Sequence, residues 1–440
     1  MIDAKSVHDT LKRHQLVDGY DIVVDLDRSH GAWIVDARTG DEYLDAFTCF
    51  ASWPIGYNNP GLKTPEFEQE LVRTSRTKLA NSDLYTREMA SFVEAFGGCV
   101  TPEGYPYHFW VSGGALAVEN AMKTAFDWKA RKLGRTDFHD DVNDLVILHF
   151  HQAFHGRSGY TMSVTNTVPD KVGLFPKFDW PRVFNPAIEF DLDGGIANDV
   201  EAAEAKACGE IEAVFAKHKG KVAGILIEPM QGEGGDNHFR TEFLQRLRNY
   251  ADEEEALLLF DEVQTGFFGS GKAWLWQTHG VAPDVVSFGK KTQVCGIYAS
   301  KRLDEVPEHV FQRSSRINST WGGQLVDMIR CRRFIELIGE QNLAQNITEQ
   351  GDRCIRGLRE MAKEHGAFRN VRGVGSLIAF TIGDAAARDQ MLKDLYHKKV
   401  MALASGPESI RLRLPFVLTT AEVDELLSRI ESCLPSNVRA

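Results

Sequence analysis

The sequence predicts an α/β protein built on a mostly parallel sheet, and three observations carry that reading. Near-continuous apolar runs at residues 146–150, 222–227, 256–260 and 285–288 have the length of strands and the composition of strands covered on both faces. Residues 116–131, 200–219 and 241–254 carry apolar side chains at helical spacing. The two kinds of segment alternate, as a parallel sheet with helical crossovers requires.

Taken in order, residues 22–26 and 32–36 read as short strands around the turn Arg28-Ser29-His30-Gly31. Residues 43–47 follow a second turn, Arg38-Thr39-Gly40-Asp41, which predicts a small antiparallel meander. An aromatic run from Tyr107 to Trp110 leads into Ser112-Gly113-Gly114-Ala115 and the helix beginning near Leu116. Beyond Trp321 a long helix over 324–340 precedes mixed elements to the end. Residues 134–144 and 165–180 are not wholly covered by any motif.

Composition narrows the function classes. The chain has 440 residues, 43% hydrophobic and 25% charged, with a formal net charge of −12. The acidic balance argues against a nucleic-acid surface and for small-molecule partners. No apolar run reaches the length of a membrane span, and residues 1–13 lack the apolar core of a secretory signal. Seven scattered cysteines without a CxxC pair read as reduced thiols, so a cytoplasmic protein is expected.

The residues that carry chemistry sit at the ends of the predicted strands, where ligands bind in open α/β sheets. Asp261 closes the run 256–260, and Gln264 follows. Lys290 follows the run ending at Phe288, with Lys291 beside it as an alternative amine. A carboxylate that keeps a pyridine nitrogen protonated and a lysine that forms an imine are what pyridoxal phosphate chemistry asks of a protein. Small residues at Gly113–Ala115, opening a helix, suit an anion. Phe154 suits a planar ring, and Arg157 offers a fork to a carboxylate. His149, His151 and His155 have no matching carboxylate spacing and read as polar loop residues, so no metal is expected. Glu228 reads as a structural cap and Glu233, between glycines, as a side chain that swings between partners. Arg411 and Arg413 share one face of a strand-like run.

In this order, these segments resemble the class III (ω-amino acid) aminotransferases of pyridoxal phosphate fold type I. The likeness spans nearly the whole chain. FHGRSGYTMSVTNT, DEVQTGFFGSGKAW, VAPDVVSFGKKTQVCG and NSTWGG bring it closest to the branch acting on the ε-amine of L-lysine. The resemblance implies a large domain at 60–325 with a mostly parallel seven-stranded sheet. It also implies a smaller α+β domain from residues 326–440, joined by the N-terminal segment 1–59. Lys290 would be the Schiff-base lysine and Asp261 the partner of the pyridinium nitrogen. Gln264 would bond the ring's phenolic oxygen, Gly114 and Ala115 the phosphate, and Phe154 and Val263 would cover the two ring faces. Thr320 would reach the phosphate from a neighbouring subunit, making a homodimer part of the site.

The resemblance further assigns Arg157 to the α-carboxylate of lysine, with Asn318 lining that pocket. Glu233 and Arg411 would form a substrate switch, the acid neutralising the arginine for lysine and releasing it for 2-oxoglutarate. The same residues would also serve another class III transaminase, acting on ornithine, 4-aminobutyrate or a diamine, or a pyridoxal phosphate aminomutase.

Overall fold

The computed structural model describes residues 2–434. Its largest sheet has seven strands, numbered here along the chain: β1 (Tyr107–Val111), β2 (Val146–Phe150), β3 (Arg182–Val183), β4 (Val222–Ile227), β5 (Leu257–Asp261), β6 (Val285–Phe288) and β7 (Cys295–Ala299). Their spatial order is β1-β7-β6-β5-β4-β2-β3. The run from β6 through β3 is parallel, and β7 alone runs antiparallel to its two neighbours.

Strands β2, β4, β5 and β6 are buried at every residue. Successive side chains face opposite layers, so an unbroken apolar run is what a doubly covered strand needs. Leu257 and Leu259 pack with Ala117, Ala121 and Ala125 of the helix Gly114–Lys132. Leu258 and Phe260 pack with Phe243 and Leu247 of the helix Thr241–Glu253. Small residues let the first helix lie close to the sheet: a Cβ at Gly224 would stand 3.3 Å from the Ala125 Cβ. Each large side chain so buried contributes about 1.5–3 kcal/mol.

A four-stranded sheet near the C-terminus has the order Arg369–Val374, Leu377–Thr381, Ser409–Arg413, Leu403–Ser405. The N-terminal meander differs from its expectation. Trp33–Val35 and Glu42–Asp45 pair antiparallel, but residues 22–26 contribute only the bridge from Val24 to Asp36. The third strand is Val400–Met401, parallel to Glu42–Asp45. Distant segments can supply parallel partners, and short-range patterning carries no trace of them.

The C-terminal ends of β1, β2, β4, β5 and β6 all open on one edge of the large sheet. Five loops therefore converge there.

Candidate active site

The loop after β1 turns into the helix Gly114–Lys132 through Gly113, whose φ is +120°. A Cβ on Gly114 would fall 2.8 Å from Val263 Cγ1, so only glycine keeps this opening. The loop after β2 is held by side chains from elsewhere. The Phe154 N–H donates to Glu228 Oε1 at 2.9 Å, and the His155 N–H to Thr165 Oγ1 at 2.9 Å. Gly156 has φ +126°, and a Cβ there would sit 2.5 Å from the Ala115 Cβ. Backbone and small side chains thus leave room in front of a helix N-terminus, a setting that favours an anion.

Asp261 ends β5 with its carboxylate buried. Its Oδ1 accepts the Val263 N–H at 3.0 Å, and its Oδ2 lies 2.8 Å from His155 Nδ1. His155 is therefore not the ordinary loop residue that its spacing suggested. It is buried against the carboxylate, and its Nε2 has no partner among the described residues. His149 also departs from expectation: it is fully buried in β2, accepts from Arg182 Nε at 3.1 Å, and burial holds its pKa well below 6.5. His151 stays exposed. Alternation along β2 and the turn after it decides which ring points inward, and composition does not reveal it.

Glu228 does more than cap a strand. It accepts the Phe154 N–H and the Gly232 N–H at 3.0 Å, tying together the loops after β2 and β4. Burial pushes its carboxyl up to about 7.

Lys290 follows Gly289 at the end of β6 with φ +54°, a conformation most side chains avoid. Burial, then Arg411 and Arg413, bring its amine down from 10.5 to about 8, against the pull of Asp261 and Glu228. Lys291 points elsewhere. Its buried amine donates to the Gln264 carbonyl, with Glu262 as the acid that most favours its charge.

The two strand arginines diverge in role. Arg413 is buried in an ion pair with Asp236 at 2.6 Å and donates to Gln264 Oε1 at 2.6 and 3.0 Å. Arg411 donates to the same oxygen at 3.2 Å. Glu233 does not touch Arg411; it is paired with Lys171 and accepts from Thr167 Oγ1 at 2.9 Å. Arg157 is exposed, makes no ion pair among the described residues, and sits 5.9 Å from the Phe154 ring centre.

One cavity of about 290 Å³ gathers Gly114, Ala115, Phe154, Arg157, Glu233, Asp261, Val263, Gln264 and Lys290. His155, Gly156 and Glu228 complete its wall. Asn318 and Thr320 do not line it. They lie exposed on the segment before the helix Leu325–Glu340, and Asn318 borders a separate hollow with Asn81 and Trp110.

An α/β fold with this amine, carboxylate and glycine cradle at the strand ends defines a class that the chain's relatives share. The family model described as aminotransferase class-III matches residues 16–434, and the chain belongs to that family. It is 46% identical over 431 residues to an L-lysine-epsilon aminotransferase of Mycobacterium tuberculosis, spanning 98% of this chain and 95% of the relative. Another, from Amycolatopsis lactamdurans, is 45% identical over 437 residues, spanning 99% and 96%. The solved lysine aminotransferase from M. tuberculosis, in its internal aldimine form, superposes with a TM-score of 0.94 at 44% identity, covering 99% of each chain.

Proposed function

We propose that the protein is a pyridoxal phosphate enzyme that transfers the ε-amine of L-lysine to 2-oxoglutarate, yielding 2-aminoadipate 6-semialdehyde and L-glutamate. The observation that carries this reading is a single cavity lined by Lys290, whose amine is lowered to about 8, by buried Asp261 and by Arg157, which has no ion pair among the described residues. The residues present suit the cofactor. The space kept open by Gly114 and Gly156 at a helix N-terminus takes a phosphate, with Gly114 and Ala115 donating N–H groups. When bound, the cofactor supplies an electron sink for the carbon that loses its proton.

Asp261, oriented by His155, provides the negative charge that keeps the ring nitrogen protonated. Phe154 and Val263 shield the two ring faces, and Gln264 addresses the ring oxygen. Lys290 holds the cofactor and, once displaced, moves the proton with Nζ, a task suited to an amine titrating near 8. Arg157 takes the α-carboxylate of lysine. Arg411 takes the 2-oxoglutarate carboxylate that lies near the ring and is neutralised by Glu233 when lysine is bound, since an unpaired buried charge is costly.

Thr320 of the partner subunit reaches the phosphate in a homodimer, and Asn318, on the same loop, lines the carboxylate pocket. Residues 60–325 form the large cofactor-binding domain, and 1–59 join 326–440 in the small one. The parallel pairing of Glu42–Asp45 with Val400–Met401 supports that division. No helix among the described residues is long and apolar enough to cross a membrane, and a cytoplasmic enzyme fits that.

The test is to supply the purified protein with pyridoxal phosphate, L-lysine and 2-oxoglutarate. Glutamate and the cyclised semialdehyde should form in equal amounts. Equal rates on L-ornithine or 4-aminobutyrate would overturn the narrow substrate, and lysine turnover without glutamate would favour an aminomutase.

A further inference from the structure

Glu233 has a second cationic partner that its motif does not announce. Its carboxylate is ion-paired with Lys171 Nζ and accepts from Thr167 Oγ1 at 2.9 Å. Thr167 closes the FHGRSGYTMSVTNT stretch, and Lys171 lies beyond it, at the end of the short turn Pro169–Lys171. The pair is half-shielded, with side-chain exposures of 26% for Lys171 and 17% for Glu233. Lys171 Nζ also stands 5.6 Å from the Phe154 ring centre, at the cavity wall.

Arg411 makes no ion pair among the described residues, although Asp236, Glu233 and Glu228 all favour its charge. It is buried, its Nε has no partner among the described residues, and it donates to Gln264 Oε1, an oxygen it shares with Arg413. Asp236 is taken by Arg413. The backbone around Glu233 is clamped: its carbonyl accepts the Gly406 N–H at 2.8 Å, and the Gly232 carbonyl accepts from Ser405 Oγ at 2.8 Å. A Cβ on Gly234 would fall 1.7 Å from the Gln152 carbonyl oxygen. Exchange of Glu233 between Lys171 and Arg411 is therefore a side-chain rotation on a fixed main chain.

We propose that Lys171, aided by Thr167, is a positioning residue that draws Glu233 off Arg411 and thereby sets the affinity for the dicarboxylate co-substrate. The inference rests on the lysine/2-oxoglutarate reading above. A 2-oxoglutarate carboxylate competes with Glu233 for Arg411, and its apparent affinity scales with the fraction of enzyme in which that arginine is free. Without Lys171, Glu233 is free to turn to Arg411, whose charge it already favours.

The two half-reactions of the holoenzyme, followed separately by cofactor absorbance, test this in Lys171→Met, Lys171→Arg and the Lys171→Met/Glu233→Gln double variant. Losing one charged hydrogen bond should raise the 2-oxoglutarate KM of Lys171→Met about tenfold. Saturation by L-lysine should hold, Lys171→Arg should restore the wild-type value, and the double variant should lose the effect. Equal changes in both half-reactions, no change in either, or a KM rise that survives Glu233→Gln would overturn the role of Lys171. A wild-type enzyme unable to use L-lysine would overturn the underlying reading as well.

Discussion

Replacing Lys290 by methionine should make the cofactor-free protein more stable at neutral pH, although it removes the amine on which the reaction depends. Burial and two neighbouring guanidinium groups bring the Lys290 amine from 10.5 to about 8. Each tenfold separation is worth about 1.4 kcal/mol, so keeping this amine in the fold costs up to about 3 kcal/mol at pH 7. Lys290 is partly open to the cavity, so water screening makes that an upper bound. Methionine is similar in length, fills the same space and carries no charge.

The sign follows from proton linkage. Below pH 8 both folded and unfolded chains hold the proton, and the wild type bears the full penalty. Between pH 8 and 10.5 the unfolded chain keeps a proton that the fold has released, so the wild type gains stability as pH rises. Denaturant unfolding of both apoproteins at pH 7 and pH 10.5 checks this. Lys290→Met should be the more stable at pH 7, and its advantage should shrink by pH 10.5. A variant of equal or lower stability at pH 7, or an advantage independent of pH, would refute the argument that Lys290 is held against its charge.

Three further perturbations address the cavity wall. Gly156→Ala places a Cβ 2.5 Å from the Ala115 Cβ at φ +126°. It should cost about 1–3 kcal/mol and weaken cofactor binding, read by thermal melting and cofactor titration. Arg157→Ala removes an exposed guanidinium that lines the cavity and should raise the KM for L-lysine about 10- to 100-fold; an unchanged value would place the α-carboxylate elsewhere. Arg413→Met leaves Asp236 buried without its 2.6 Å partner. It should destabilise the fold by about 3–5 kcal/mol, part of which Asp236→Asn in the same chain should recover.

Much of the architecture was legible in the linear pattern. Strands β2, β4 and β6 fall on their apolar runs because a strand buried on both faces tolerates no polar interruption. The helices Gly114–Lys132 and Thr241–Glu253 follow from apolar side chains at helical spacing. Asp261 and Lys290 stood out because each is a polar residue placed at, or one glycine beyond, the end of such a run. The antiparallel β7 was not legible. Its run Cys295–Ala299 follows Lys290 by only a few residues with no α-helix between, and the antiparallel pairing with β6 appears only in the folded sheet.

The same division holds within the site. By itself the sequence determined which chemistry was available: an amine, a carboxylate, a glycine-opened helix and a set of arginines, each at the end of a recognisable element. Only the tertiary structure decided who meets whom. His155 reaches Asp261 across 106 positions, Arg413 rather than Arg411 claims Asp236 across 177, and Glu233 turns to Lys171 across 62. The physical reason is that charge pairing depends on distance and burial after the chain has closed its loops. A local pattern constrains a side chain's own element and leaves its distant partner open.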